Sequence, residues 1–236
     1  PLGWCAQNLQ DMRQHNRKGT ETAGTKGIHL PLANELLQHI PEDYGILIIP
    51  LAFGGSGFNS GNVGNYDSSL MKPTDTGSNS GEGTVSLKWG LNENNRFGGI
   101  VWCQGVADYG NRTNHKTKFE EMTNQLFTEL NDAGYGSRTS KGTFDRDIWY
   151  NMETSPYWYI YNNCRLLWDD YRKWNPNTYI EIKGADSNQI NGTGQTSNKK
   201  PSNFGNDSFS KVIAPAVAKA LIKGNEWSEL RSEKEI

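Results

Sequence analysis

Several things are scarce in this 236-residue sequence, and each scarcity removes a class of protein. No apolar run approaches the ~20 residues that a helix needs to cross a bilayer, so no membrane-spanning helix is expected. Three cysteines, Cys5, Cys103 and Cys164, lie far apart with no Cys-x-x-Cys pair. That count supplies neither a disulfide framework nor a zinc site, and Cys103 and Cys164, set in apolar runs, are expected to be buried small hydrophobes. Basic residues do not outnumber acidic ones: the net charge is -2, with Lys and Arg scattered. No basic stripe therefore argues for nucleic acid. Pro1-Leu2-Gly3-Trp4-Cys5 has no basic segment leading into an apolar one, so these residues are not expected to form a signal peptide. It also lacks an initiator Met, so the chain is expected to be processed or truncated. The compartment is not readable from these residues, which leaves periplasmic, secreted and virion locations all open.

What is present is polar and aromatic. Mean hydropathy is -0.75, yet there are 8 Trp and 10 Tyr, which suits one core carrying long surface loops. It suits carbohydrate binding as well, where rings stack on sugar faces. One domain is expected over 1–223, followed by a charged tail over 224–236.

Helical spacing of Ile28, Leu32, Leu36 and Leu37 predicts a first helix, stopped by Pro41. Gly45 to Ala52 is a short continuous apolar run, the pattern of a strand buried on both faces. Similar runs predict strands at 99–103, 147–152 and 178–182. Helices are expected at about 116–131, 157–174 and 208–223. The alternation predicts an α/β layer sandwich with a central parallel sheet, whose functional loops follow the carboxyl ends of the strands.

Three stretches occupy such positions. Ala52-Phe53-Gly54-Gly55-Ser56-Gly57-Phe58 has glycines that let a backbone N–H approach a ligand closely; a flexible turn is the alternative. Trp102-Cys103-Gln104-Gly105-Val106-Ala107-Asp108 carries a carboxamide directly after a strand. Gln104 can donate to an oxyanion, or it can simply tie two loops together. Pro201-Ser202-Asn203-Phe204 precedes the last helix.

Together these stretches resemble the SGNH hydrolases, and among them the carbohydrate esterases that include bacterial sialate O-acetylesterases. The most specific part runs from Pro41-Glu42-Asp43-Tyr44-Gly45-Ile46 into Gly54-Gly55-Ser56. The resemblance implies a three-layer sandwich with helices on both faces, in which the first strand is expected to be missing. It also implies a serine nucleophile, a histidine base and an oxyanion hole, with no metal or organic cofactor. The implied partner is an O-acetylated carbohydrate or sialic acid, not nucleic acid and not a membrane.

Residue by residue, Gly54, Gly55 and Gln104 match the oxyanion hole, and Ser56, Phe58, Asp108 and His115 are candidates to contact substrate. The departures lie at the catalytic positions. No Gly-Gln-Ser or Gly-Asp-Ser stretch occurs in the 236 residues. Val106 stands where the family has Glu, and Asn203 where it has His. An amide is not basic enough near pH 7 to activate a serine. His115, read as lying in the loop after Gln104, is the candidate substitute base. The expectations are a carbohydrate O-acetylesterase-like domain with impaired or absent activity, or a non-catalytic glycan-binding domain such as part of a phage tail.

Overall fold

In the computed structural model, residues 28–49, 56–58, 64–65, 91, 94–185 and 208–225 are described. Helix α1 spans His29–Leu37, and two short strands, β1 (Ser56–Gly57) and β2 (Gly64–Asn65), pair in parallel. Strand β3 (Ile100–Trp102) leads through a 3-10 turn at Val106–Asn111 into helix α2 (Arg112–Asp132). Strand β4 (Trp149–Met152) leads through a second 3-10 turn, Pro156–Ile160, into helix α3 (Asn162–Trp174). Strand β5 (Tyr179–Ile180) and helix α4 (Ala214–Asn225) complete the order.

β3, β4 and β5 form one parallel sheet in that order, with Ile100 opposite Trp149 and Met152 opposite Ile180. The period of two along a strand sends alternate side chains to opposite faces. Ile100, Trp102, Trp149 and Tyr179 pack toward Phe119, Met122 and Leu126 of α2 and Cys164 and Trp168 of α3. Val101, Tyr150, Met152 and Ile180 pack toward Leu32 and Leu36 of α1 and Val217, Ala218 and Leu221 of α4. The strands are apolar on both faces because helices cover both, so the architecture is the expected three-layer α/β sandwich. Each large side chain so enclosed contributes about 1.5–3 kcal/mol relative to exposure.

Local chemistry moved several boundaries. Residues 45–49 of the first predicted strand are not in a strand, and Ile46 and Ile48 pack against the α1–α4 core. The strand predicted from 147 begins at Trp149, because Asp145 accepts a hydrogen bond from the Asp147 N–H at 2.8 Å and folds 146–148 into a 3-10 turn. The expected strand 178–182 pairs only through Tyr179–Ile180.

α2 starts at Arg112 rather than Lys116, because the Asn111 side chain caps it by accepting from the Asn114 N–H. Arg112 also grips Asp170 of α3 through two hydrogen bonds of 2.5 Å. Before α4, Phe209–Ile213 forms a π turn. Pro215 has no N–H to offer the Lys211 carbonyl and its ring crowds that oxygen, which accounts for the wider turn. α4 itself runs through Asn225, two residues past the expected boundary.

Candidate active site

β3 delivers Trp102, Cys103 and Gln104 to the carboxyl edge of the sheet. Gly105 follows with φ +130°, a conformation L side chains rarely adopt, and the Asp108 N–H closes the turn on the Gly105 carbonyl at 3.1 Å. The chain thereby doubles back, and Asp108 comes to face Gln104.

Asp108 is fully buried and is the hub of the site. Both of its carboxylate oxygens accept from the Phe58 N–H at 2.9 Å, and Gln104 Nε2 donates to Oδ2 at 2.6 Å. Asn114 Nδ2 donates to the Phe58 carbonyl at 3.2 Å. Both backbone groups of Phe58 are therefore held by the segment that follows β3, which ties the Ser56–Phe58 stretch to it. The Phe58 ring meets His115 edge-on, with centroids 5.2 Å apart.

On the other side of Gln104, its Oε1 lies 3.0 Å from His115 Nε2. That nitrogen is also 2.9 Å from the Tyr171 hydroxyl, to which Trp102 Nε1 donates at 3.1 Å. Tyr171 in turn donates to the Gln104 carbonyl at 3.3 Å. Burial pushes the His115 pKa down to about 4, against the opposing pull of the Asp108 and Asp170 charges. At neutral pH the imidazole is uncharged. Burial likewise holds the Tyr171 hydroxyl protonated, far above the usual phenol range.

Two expectations are corrected here. His115 is not in a rim loop: the Asn111 cap brings it into the first turn of α2, where it is 1% exposed. Its imidazole is enclosed and neutral, and Asp108 is enclosed with it. Cys103 is exposed rather than buried, since it is the first residue beyond the β3 ladder; its Sγ lies 3.6 Å from the Glu153 carbonyl. Cys164 is buried as expected.

Gln104 and Val106 are half-buried at the edge. Ser56 pairs through its backbone with Gly64. Gly54, Gly55 and Asn203 lie outside the described residues, as does most of the 54–83 loop.

Sequence reasoning passed over Tyr171 and Glu153. Glu153 follows β4 just as Cys103 follows β3, and that was the available signal. It is buried, accepts from the Tyr179 hydroxyl at 2.9 Å and the Ile182 N–H at 3.1 Å, and also takes the Tyr159 hydroxyl. Among the described residues no group of three or more His, Cys, Asp or Glu is arranged to hold a metal ion, and no helix is long and apolar enough to cross a membrane.

A parallel sheet sandwiched by helices, with its polar hub at the carboxyl end of β3, is a three-layer α/β fold. It is similar to the crystal structure of NanS, with a TM-score of 0.65 and 21% identity, covering 89% of this chain and 76% of that one. In sequence the chain is 29% identical over 197 residues to the probable 9-O-acetyl-N-acetylneuraminic acid deacetylase of Escherichia coli (strain K12). That alignment covers 69% of this chain and 56% of the relative, so the match spans little more than half of the relative's length. No family model matches the chain. The two likenesses support the family that the motifs resemble, the SGNH-type carbohydrate esterases.

Proposed function

We propose that this chain is a carbohydrate O-acetylesterase-like domain whose site takes the acetyl group of an O-acetylated sugar, with acetylated sialic acid the foremost candidate. The observation that carries the reading is the hydrogen-bonded unit Phe58–Asp108–Gln104–His115. It fixes a carboxamide at the carboxyl end of β3 and ties the segment after Gly54-Gly55 to it, as an acyl-binding pocket needs. The deacetylase named among the relatives supports the same substrate class.

In acyl transfer of this kind a serine oxygen bonds to the acetyl carbon while a base takes its proton. The carbonyl oxygen becomes an oxyanion held by N–H donors, and the sugar hydroxyl leaves with the proton. Water then releases acetate. Gln104 has a second Nε2–H beyond the one given to Asp108, and that is the donor assigned to the oxyanion.

Neither the family's Gly-Gln-Ser stretch nor its histidine base is recognisable in these 236 residues. Asn203 stands at the family's histidine position and cannot take a proton, and His115 is enclosed and weakly basic. The 236 residues therefore bind acetylated sugar without turning it over, which is also the reading of a glycan-binding domain descended from an esterase.

Acetate release from p-nitrophenyl acetate and from 9-O-acetyl sialic acid should match that of heat-denatured protein. Calorimetric titration should show the acetylated sugar binding more tightly than the deacetylated one, a preference lost in Gln104→Ala. Equal binding of both sugars would refute the acyl pocket. Turnover abolished by His115→Ala or Ser56→Ala would refute the non-catalytic assignment.

A further inference from the structure

The two 3-10 turns that follow β3 and β4 carry a concentration of aromatic side chains that the acyl pocket does not use. Tyr109 comes from the first turn, Tyr157 and Trp158 from the second, and Tyr161 from the residue that precedes α3. The Tyr109 ring lies 6.2 Å from Trp158 and 5.6 Å from Tyr161, centroid to centroid. Trp158 and Tyr161 are 5.4 Å apart, and Tyr157 is 5.2 Å from Trp158. All four are at least partly exposed, Tyr109 to 36%.

The group is rigid. The Trp158 N–H closes on the Ser155 carbonyl and the Tyr161 N–H on the Trp158 carbonyl, each at 3.0 Å. Between them Tyr159, itself 37% exposed, is anchored with its ring 4.7 Å from Trp168 and its hydroxyl on the buried Glu153. Ring side chains held in place lose little freedom on binding, so an exposed, prearranged set is poised for a ligand.

The residue types decide which ligand. Each of the four presents an apolar face with a polar edge, and none carries a charge. A pyranose ring has the complementary form: a face of C–H bonds rimmed by hydroxyls. A protein partner would be met by aliphatic side chains too, and here Ile160 alone is strongly exposed, at 70%. Position agrees with chemistry, because Tyr109 directly follows Asp108, the residue that holds the Gln104 amide.

We infer that Tyr109, Tyr157, Trp158 and Tyr161 form a stacking platform for a neutral pyranose, adjoining the acyl pocket and receiving an unacetylated sugar of the same glycan. The pairing with the pocket rests on the function proposed above; the platform itself is tested without it.

The test is titration of the whole chain with the methyl glycosides of galactose, glucose and N-acetylglucosamine, followed by the Trp158 indole N–H resonance in 15N NMR. At least one should shift it saturably in the millimolar range, as expected for a single stacked ring with few hydrogen bonds. Trp158→Leu (followed through the Tyr109 and Tyr161 ring signals) and Tyr109→Ala should weaken that glycoside about tenfold. Tyr109→Phe, which keeps the face, should retain most of the affinity, and Leu37→Ala on the exposed side of α1 should retain all of it. Unchanged amide spectra establish that each variant is folded.

No saturable shift with any of the three glycosides overturns the platform, as does undiminished binding in both Trp158→Leu and Tyr109→Ala. Concentration-dependent self-association lost in Trp158→Leu would assign the patch to a second copy of the chain instead. Neutral glycoside binding with no preference for acetylated sugar would remove the acyl pocket and leave the platform standing.

Discussion

Nε2 of His115 lies 3.0 Å from Oε1 of Gln104, and that contact sets the protonation of one residue and the orientation of the other. The Asp108 carboxylate can only accept, so the Gln104 atom facing it at 2.6 Å is the amide nitrogen. The amide oxygen then faces His115 and has no proton to give, so the imidazole carries its proton on Nε2. Tyr171 completes the set by accepting from that N–H and from Trp102 while donating to the Gln104 carbonyl. His115 and Tyr171 are thus positioning residues for Gln104.

The tautomer is directly observable. Long-range 15N–1H correlation should report His115 as the neutral Nε2–H form at pH 7 and still largely neutral at pH 5, because burial holds its pKa near 4. An Nδ1–H signature would reverse the Gln104 amide and remove its donor from the proposed oxyanion position.

The same shift has a consequence for stability. The unfolded chain binds the His115 proton below about pH 6.5 and the folded chain only near pH 4, so stability is full above pH 6.5 and falls as pH drops. Between pH 7 and pH 5 this group should remove about 2 kcal/mol. Urea denaturation should show that loss in the wild type, and His115→Gln should lack this share of the pH dependence. An equal pH slope in both proteins would contradict the buried neutral imidazole.

Asp108→Ala removes the oxygens that accept from Phe58 and Gln104 inside the protein. The expected cost is about 2–4 kcal/mol, since a buried donor left without its acceptor keeps its desolvation penalty. Asp108→Asn, which retains one oxygen, should cost less. Hydrogen exchange at the Phe58 amide should accelerate in both, and an unchanged rate would show that Asp108 does not tether that segment.

Gly224, near the end of α4, has no room for a methyl group: a Cβ there would come 1.9 Å from the Tyr150 hydroxyl oxygen and 3.0 Å from its Cζ. Tyr150 is buried in the α1–α4 core and cannot swing aside. Gly224→Ala should therefore destabilise by about 1–3 kcal/mol although Ala is the better helix former. In a Tyr150→Phe background much of that penalty should disappear, because the first clash is with the hydroxyl. Additive losses would locate the strain elsewhere.

Asn203→His alone should give no measurable ester hydrolysis. A base without a serine to deprotonate creates no nucleophile, and the chain contains no Gly-Gln-Ser or Gly-Asp-Ser stretch. Acetate release from 9-O-acetyl sialic acid by that single variant would show that a serine already present, Ser56 first among the candidates, serves as nucleophile.

The layer architecture was legible in the sequence. Runs such as Ile100-Val101-Trp102 and Trp149-Tyr150-Asn151-Met152, bounded by turn residues, must be covered on both faces, and periodic helices stood between them to do it. Gln104 could likewise be located at a strand's carboxyl end, because that position depends only on where the strand stops. The register of α2 was not legible: periodicity begins at Lys116, but the single hydrogen bond from Asn114 to Asn111 starts the helix earlier and turns His115 inward. Nor was the service of Gln104, since its partner Tyr171 is 67 residues away and reaches it only when α3 packs against the sheet. Apolar patterning acts within a segment and can be read there. Hydrogen bonds among buried side chains depend on how segments meet, and only the tertiary structure decided that Asp108 and His115 are enclosed.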